Sequence, residues 1–219
     1  MELNFICARL IMKNILCFGD SNTWGYVPGT GNRYPKQIRW TGILQNLLGN
    51  SSFIIEEGLN GRTTVLDDPT RIAKNGMTYL RPCLDSQAPI DLIVMMLGTN
   101  DCKHRFGLSA FDISEGVAML VSTILQSGAG INGKAPQILL VSPPFIVPAP
   151  SKSDLFFGAE EKSKHLAFHV QQVANNTASH FLDAAKHCTV SAIDGIHLDE
   201  AGHLALAQAI AEKINTLKL

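Results

Sequence analysis

The chain of 219 residues carries 18 basic and 19 acidic residues, and hydrophobic residues make up 46% of it. This composition supports a sizeable core and excludes a disordered chain. A formal net charge of -1, with no run of Lys or Arg, argues against nucleic acid as a partner. The length is typical of one α/β domain, so we expect residues 1–219 to form a single domain.

The first twelve residues hold a short apolar patch that Arg9 interrupts. No basic segment precedes the patch and no small-residue cleavage site follows it, which argues against a secretory signal. No stretch elsewhere approaches the ~18 apolar residues of a membrane span, so we expect no membrane partner. The sequence leaves open whether residues 1–12 belong to the domain or form an N-terminal extension.

Short apolar runs then alternate with segments of helical period. Ile15–Phe18 is predicted to be a buried strand, and the spacing of apolar residues over Trp40–Leu48 predicts a helix that stops at Gly49-Asn50. Phe53–Ile55 is predicted to be the second strand. Leu92–Leu97 is the most apolar run and predicts a central strand that is covered on both faces.

The second half of the chain continues the alternation. Ser109 and Asp112 form a capping-box-like start for a helix whose buried face extends to Ile124. Strands are predicted at Ile138–Val141 and Phe181–Leu182, a helix at Glu160–Ala178, and a last helix capped by Asp199. Together these elements predict a three-layer α/β/α sandwich around a five-stranded parallel sheet, of flavodoxin-like architecture.

Polar residues follow the strands at their carboxyl ends, where open parallel sheets bind ligands. Ser21 follows the first strand, Gly61 the second, Asn100 the third, and Asp194 with His197 the fifth. Histidine can accept the proton of a hydroxyl, a carboxylate can fix the tautomer of that histidine, and N–H groups can stabilise an oxyanion. These residue types therefore point to acyl transfer through a serine nucleophile.

The chain resembles the SGNH (GDSL-like) hydrolases. The resemblance rests on Gly19-Asp20-Ser21, on Gly61, on Gly98-Thr99-Asn100-Asp101 and on Asp194-x-x-His197, which occur in that order over residues 13–217. Further segments are similar to the bacterial arylesterase/acyltransferase branch: Ile15–Ser21, Arg39–Gly42, Glu56–Leu59, Arg62–Thr64 and Val141–Pro144. Asn22 stands where a GDSL signature has Leu, which bears on substrate preference and leaves the mechanism in place.

The resemblance implies that Ser21 is the nucleophile, His197 the base and Asp194 the residue that orients it. It also implies an oxyanion hole formed by the N–H groups of Ser21 and Gly61 and by the side chain of Asn100. The expected activity is the hydrolysis of small, uncharged acyl esters through an acyl-Ser21 intermediate, with acyl transfer to alcohols as an extension. Neither a cofactor nor a metal is expected.

Candidate substrate-binding residues are those expected to lie around Ser21, and most of them are apolar: Asn22, Trp24, Tyr26, Thr99, Phe145, Ile146, Phe156 and Ile196. Asp20 and Asp101 are interpreted as structural hydrogen-bonding residues. Lys103 is equally compatible with substrate contact and with a solvent-facing position. Cys102 is expected to be inert because no His is placed in sequence to activate it.

Three alternatives use the same catalytic core, namely a carbohydrate deacetylase, a thioesterase and a lysophospholipase. A nucleotide-binding module is the alternative from another class, since Gly25, Gly29 and Gly31 follow the first strand. Their spacing fits neither G-x-G-x-x-G nor G-x-x-x-x-G-K-[ST].

The cysteines are five in number and scattered, and none forms a C-x-x-C pair. This distribution argues against a zinc or redox site and favours reduced thiols in the cytoplasm.

The longest irregular segment, Pro143–Gly158, leaves the fourth strand at the carboxyl edge. It carries several large apolar residues, which a monomer would leave in water. We therefore expect this loop to narrow the acyl pocket and to contact a neighbouring subunit of a homo-oligomer.

Overall fold

A computed structural model describes residues 12–219 and contains one sheet of five parallel strands in the order β2-β1-β3-β4-β5. The strands are β1 (Lys13–Gly19), β2 (Ser52–Gly58), β3 (Leu92–Met96), β4 (Gln137–Ser142) and β5 (His180–Asp183). All pairings are parallel, and Gly19 lies beside both Gly58 and Met96 in the register. The predicted α/β/α fold is confirmed.

Helices cover both faces of the sheet. They are α1 (Ser21–Trp24), α2 (Trp40–Leu48), α3 (Gly76–Gln87), α4 (Ala110–Leu125), α5 (Ala159–Asn176) and α6 (Glu200–Asn215). Leu16 and Phe18 of β1 pack in a core with α3, α4 and α5, whereas Ile15 and Cys17 point to the opposite face and pack with α2 and α6. Period-two alternation along a strand produces this division.

Most predicted elements lie within two residues of their observed bounds, and the helix caps are those expected. The Ser109 hydroxyl accepts from the Asp112 N–H at 3.1 Å, while the Asp112 carboxylate accepts from the Ser109 N–H at 2.8 Å. Asp199 accepts from the Gly202 N–H at 2.8 Å at the start of α6. These bonds satisfy N–H groups that a helix end leaves without partners.

Helix α3 was not predicted. It begins at a glycine, contains Pro82, and buries only a few apolar side chains, among them Leu80 and Leu84. Pro82 lacks an N–H donor, and the apolar stripe is too sparse to produce a clear helical period.

The turn that follows β1 lies against the carboxyl end of β2, where Gly58 has no side chain. A Cβ built on Gly58 would lie 2.2 Å from the Trp24 nitrogen, and one on Gly19 would lie 2.1 Å from the Thr23 hydroxyl. Both contacts are shorter than van der Waals distance, so glycine lets the turn after β1 lie directly on the end of β2.

Residues 1–11 lie outside the described residues, so the interpretation of residues 1–12 as domain or extension stays open. Within residues 12–219, no helix combines the length and the apolar character that crossing a membrane requires.

Candidate active site

Ser21, His197 and Asp194 form a hydrogen-bonded chain at the carboxyl edge of the sheet. The Ser21 Oγ lies 3.0 Å from His197 Nε2, and His197 Nδ1 lies 2.7 Å from Asp194 Oδ2. An ionised carboxylate only accepts, so Nδ1 carries the proton and Nε2 is free to accept from the Ser21 hydroxyl. This arrangement can activate a serine nucleophile.

Asp194 is almost fully buried and accepts several hydrogen bonds. Its Oδ1 accepts from the N–H groups of Ile196 and His197, both at 3.0 Å, and its Oδ2 also accepts from the Gly29 N–H at 3.3 Å. Burial raises the pKa of Asp194, but the hydrogen bonds from His197 and Ile196 outweigh it and hold the pKa at about 2. The carboxylate therefore stays ionised at neutral pH and keeps the imidazole in one tautomer.

The side-chain amide of Asn22 joins the serine turn to the loop that carries Asp194 and His197. Its Nδ2 donates to the Ile196 carbonyl at 3.2 Å, and its Oδ1 accepts from the Leu198 N–H at 2.9 Å. Asn22 is 1% exposed. Asn22 therefore connects the turn that carries Ser21 to the loop that carries Asp194 and His197, and the sequence gives no local sign of this role.

Two further contacts hold the loop that carries His197. The ring of Tyr26 stacks on the imidazole, with centroids 4.1 Å apart. On the outer side, the Val147 N–H donates to the Gly195 carbonyl at 2.9 Å. Gly195 has φ +71°, and a Cβ there would lie 1.7 Å from the Val147 carbonyl oxygen. The position therefore requires glycine for its backbone angle and for the close approach.

Three candidate oxyanion donors line the same cavity as the triad: Ser21, Gly61 and Asn100. Ser21 is the first residue of α1, so its N–H has no acceptor within the helix. Among residues 12–219, the Gly61 N–H has no backbone acceptor. The Asn100 Nδ2 donates to the Arg62 carbonyl at 3.1 Å, which fixes its orientation. All three are donors of the kind that an oxyanion requires.

Arg62 is buried beneath this site, and its role was not predicted. Its Nη1 donates to the Gly19 carbonyl at 2.8 Å and also to the Glu57 carbonyl, and its guanidinium lies 4.2 Å from the centroid of the Phe18 ring. Arg62 thus ties the ends of β1 and β2 to the segment that contains Gly61. The only sequence signal was its place in a segment similar to arylesterases.

Asp20 and Asp101 make the structural hydrogen bonds that were expected of them. The Asp20 Oδ1 accepts from the Asn22 N–H at 2.9 Å and caps α1. Asp101 accepts from the N–H and the hydroxyl of Thr64 at 2.9 and 2.6 Å. Burial raises the pKa of Asp101 to about 6, although the bonds from Thr64 lower it. These carboxylates hold the loops that carry Ser21 and Asn100.

The triad opens into a cavity of roughly 250 Å³. Tyr26, Leu155, Phe156 and Ile196 supply its apolar wall. Asn60 adds a polar group, and the charged part of the wall consists of Asp68, Arg71, Lys103, Arg105 and Lys152.

Only three of the eight predicted substrate-binding residues line this cavity: Tyr26, Phe156 and Ile196. Asn22 and Thr99 are buried, and the Asn22 side chain forms structural hydrogen bonds. Ile146 is 1% exposed and packs in the core.

The other two lie elsewhere on the surface. Trp24 packs beneath Arg33, whose guanidinium lies 5.2 Å from the ring centroid. Phe145 lines a separate apolar cavity beside Cys188 and Val190. The sequence places all five near Ser21, but only the packing decides which side chains face the opening.

Lys103, for which two positions were equally compatible, lines the cavity and is 3% exposed. Cys102 is buried, and desolvation raises its pKa to about 12, so its thiol stays protonated at neutral pH. Within the part of the chain that the structure describes, no group of three or more His, Cys, Asp or Glu could hold a metal ion.

The chain is similar to known esterases in sequence and structure. The model of the GDSL-like lipase/acylhydrolase family matches residues 17–205. No curated protein matches the chain.

Solved structures with a TM-score of 0.90 include a carbohydrate acetylesterase from Sinorhizobium meliloti at 40% identity and an aryl esterase from M. smegmatis at 41%. Each alignment covers 94% of this chain and 100% of the other. A second carbohydrate acetylesterase structure from S. meliloti is 35% identical with a TM-score of 0.88, over 93% of this chain and 98% of the other.

Replacing Asn22 should disturb the triad without removing any of its members. In Asn22→Ala, the Ile196 carbonyl and the Leu198 N–H lose buried partners, which we expect to lower the free energy of unfolding by roughly 2–4 kcal/mol. A shift of about 1 Å between Ser21 and His197 would lower kcat for an aryl ester by about 10²-fold.

The matched control is Asn75→Ala. The Asn75 side chain also bonds two backbone groups, the Met77 N–H and the Val65 carbonyl, but it does not line the cavity. Urea unfolding and steady-state kinetics should show comparable losses of stability and a loss of kcat in Asn22→Ala alone. Equal kcat in the two variants would contradict a positioning role for Asn22.

Proposed function

Because the chain belongs to the GDSL-like lipase/acylhydrolase family and is a carboxylic ester hydrolase, we propose that Ser21, His197 and Asp194 are its catalytic triad. The observation that carries this proposal is the hydrogen-bonded chain from the Ser21 Oγ through His197 to Asp194. His197 accepts the serine proton while Oγ forms a bond to the ester carbonyl carbon. The same imidazole then returns the proton to the departing alkoxide oxygen, which leaves an acyl-Ser21 ester.

The negative charge that develops on the carbonyl oxygen is stabilised by the N–H groups of Ser21 and Gly61 and by the Asn100 amide. Asn100 is held by the Arg62 carbonyl and is buried, so its amide is oriented before the substrate arrives. Preorganised donors in a desolvated site favour the tetrahedral state without further reorganisation.

Water resolves the acyl-enzyme, and small alcohols compete with it. Two features support a small, uncharged acyl group. The cavity holds only roughly 250 Å³, at the low end of ligand sites. Phe156 and Ile196 also provide an apolar wall beside Ser21 and His197.

Removal of acetyl groups from carbohydrates is the second candidate activity. Similarity to two carbohydrate acetylesterase structures favours it, as do the polar groups of Asn60 and Lys103 in the cavity. Turnover of acetylated monosaccharides relative to phenyl acetate distinguishes the two substrate classes.

We further propose that the protein forms a homo-oligomer through the loop Pro143–Gly158. Val147 and Phe157 of this loop are 58% and 68% exposed, which leaves apolar surface for a second copy to cover. A cytoplasmic location is proposed because Cys17, Cys83, Cys102 and Cys188 are all free thiols.

Replacing the nucleophile should abolish covalent chemistry. Ser21→Ala is expected to lose acyl-enzyme formation, leaving only about 10³- to 10⁴-fold catalysis over water from binding and the oxyanion hole. Mass spectrometry after treatment with a small organophosphonate should find the label on Ser21 of the wild type and none at residue 21 of the variant. A control, Ser51→Ala, changes an exposed serine outside the cavity and should label normally. Near wild-type turnover in Ser21→Ala would eliminate the triad.

Removing the Asn100 amide should act on the transition state. Asn100→Ala is expected to lower kcat by ~10² to 10³, since one side-chain oxyanion donor contributes about 2.7–4 kcal/mol. Steady-state kinetics separate the alternatives, because a rise in KM with kcat intact would assign Asn100 to ground-state binding instead.

The loop Pro143–Gly158 generates a prediction about substrate and assembly. Esters of short acyl chains should be preferred to long ones, and added small alcohol should divert part of the acyl-enzyme to transfer. Light scattering should give a mass above that of one chain. A monomer that prefers long chains and only hydrolyses them would contradict this prediction while leaving the triad intact.

A further inference from the structure

Positively charged side chains outnumber negatively charged ones in the cavity beside Ser21. Arg71, Lys103, Arg105 and Lys152 line it together with a single carboxylate, Asp68. The chain as a whole has a formal net charge of -1, so this excess of positive charge is local. A cleft lined by one sign of charge concentrates the potential and attracts ligands of the opposite sign.

Asp68 forms ion pairs with two of these cations, Lys103 and Arg105. Its side chain is fully buried, and its oxygens lie 3.4 Å from Lys103 Nζ and 3.1 Å from Arg105 Nη1. The Thr70 N–H and hydroxyl also donate to it, at 3.0 and 2.8 Å. Burial raises the pKa of Asp68, but these bonds and the two cations hold it at about 2. Asp68 therefore has little capacity left for a third cation.

Arg71 and Lys152 remain without a counter-charge. Within residues 12–219, neither forms an ion pair with a carboxylate. Arg71 is held by backbone groups: its N–H donates to the Asp68 carbonyl at 3.1 Å, and its Nη2 donates to the Asn60 carbonyl at 3.4 Å.

The guanidinium of Arg71 lies against Gly61, a candidate oxyanion donor. A Cβ built on Gly61 would lie 2.4 Å from Arg71 Nη1 and 2.9 Å from its Cζ. The positive charge thus occupies the space that a side chain at position 61 would take.

We propose that the preferred substrate of this esterase is an ester that carries an anionic group, such as a carboxylate, which Arg71 and Lys152 bind beside the oxyanion hole. This inference rests on the proposed function, since it places the ester carbonyl at Ser21 and Gly61. Planar guanidinium groups bind carboxylates through paired charge-assisted hydrogen bonds, and Arg71, although exposed to solvent, lines the cavity together with Lys152. The anionic group lies on the alcohol part of the ester, since Phe156 and Ile196 hold a small, uncharged acyl group.

The test compares matched pairs of esters that differ in one charge. In the first pair, 4-acetoxybenzoate carries the anion on the alcohol part, and its methyl ester is the neutral member. In the second pair, which serves for comparison, 4-nitrophenyl hydrogen adipate carries the anion on the acyl part, and 4-nitrophenyl hexanoate is the neutral member. For each pair the readout is the ratio of kcat/KM for the anionic ester to that for the neutral one. Comparing this ratio between variants cancels the intrinsic reactivity of the esters.

For the 4-acetoxybenzoate pair, the ratio should fall about tenfold in Arg71→Gln and in Lys152→Gln, the loss typical of one charge-assisted hydrogen bond. It should also fall in the wild type as the salt concentration rises. The matched control is Arg81→Gln, which removes an exposed arginine outside the cavity and should leave the ratio unchanged.

Ratios for the 4-acetoxybenzoate pair that are equal in Arg71→Gln, Lys152→Gln and Arg81→Gln, and that do not respond to salt, would overturn this inference. The proposed function fails differently, through a wild type that hydrolyses neither member of a pair and is not labelled at Ser21. Turnover of the neutral esters with no dependence on the cations would therefore remove the anion site alone.

Discussion

The rest of the site depends on the two hydrogen bonds of the Asn22 amide, which connect residues 174 and 176 positions apart. Ser21 lies in a turn after the first strand, whereas Asp194 and His197 lie in a loop near the end of the chain. The parallel sheet brings both segments to one edge, but adjacency at an edge does not fix a 3.0 Å contact between Ser21 and His197. The amide supplies both a donor and an acceptor to the second loop, so it fixes distance and orientation together. A leucine there, as in the GDSL signature, could make neither bond.

Glycines allow the backbone approaches on which that connection depends. Gly58 lets the Ser21 turn rest on the end of β2, and Gly195 lets the loop beginning at Pro143 bond to the loop that carries the triad. The triad loop is consequently held on one side by Asn22 and on the other by Val147. Two independent attachments restrict the motion of His197, which is what a near-attack geometry would require of the proposed base.

Much of the fold could be predicted from the sequence because three of its strands, β1, β3 and β4, are buried on both faces. Ile15–Phe18 and Leu92–Leu97 are continuous apolar runs, and a run of that kind has few alternative placements in a small α/β domain. Ser21, Asp194 and His197 could likewise be singled out as candidates, because they follow predicted strands and carry residue types suited to acyl transfer.

The cavity wall could not be predicted, for a physical reason. Asp68 and Arg71 lie in an irregular segment between β2 and α3, where no periodicity indicates which way a side chain points. Trp24 and Phe145 are near Ser21 along the chain or the sheet edge, yet they pack on other surfaces. Apolar residues near Ser21 therefore favoured the prediction of an apolar pocket. The observed wall contains both apolar and cationic groups, and these come from distant loops.

The position of Arg71 also affects how a negatively charged substrate could react at Ser21. A substrate anion close to the carbonyl would repel the oxyanion that forms when Ser21 attacks, and this repulsion would raise the barrier. Arg71 lies against Gly61, so in the proposed complex its positive charge would stand near both the substrate anion and the developing oxyanion. One cation can then offset the repulsion in the transition state as well as bind the ground state. Asp68 does not cancel this effect, because its charge is already balanced by Lys103 and Arg105. The buried carboxylate instead anchors Lys103 and Arg105, and the turn from Asp68 to Arg71 places the remaining positive charge beside Gly61, where the proposed anion would bind.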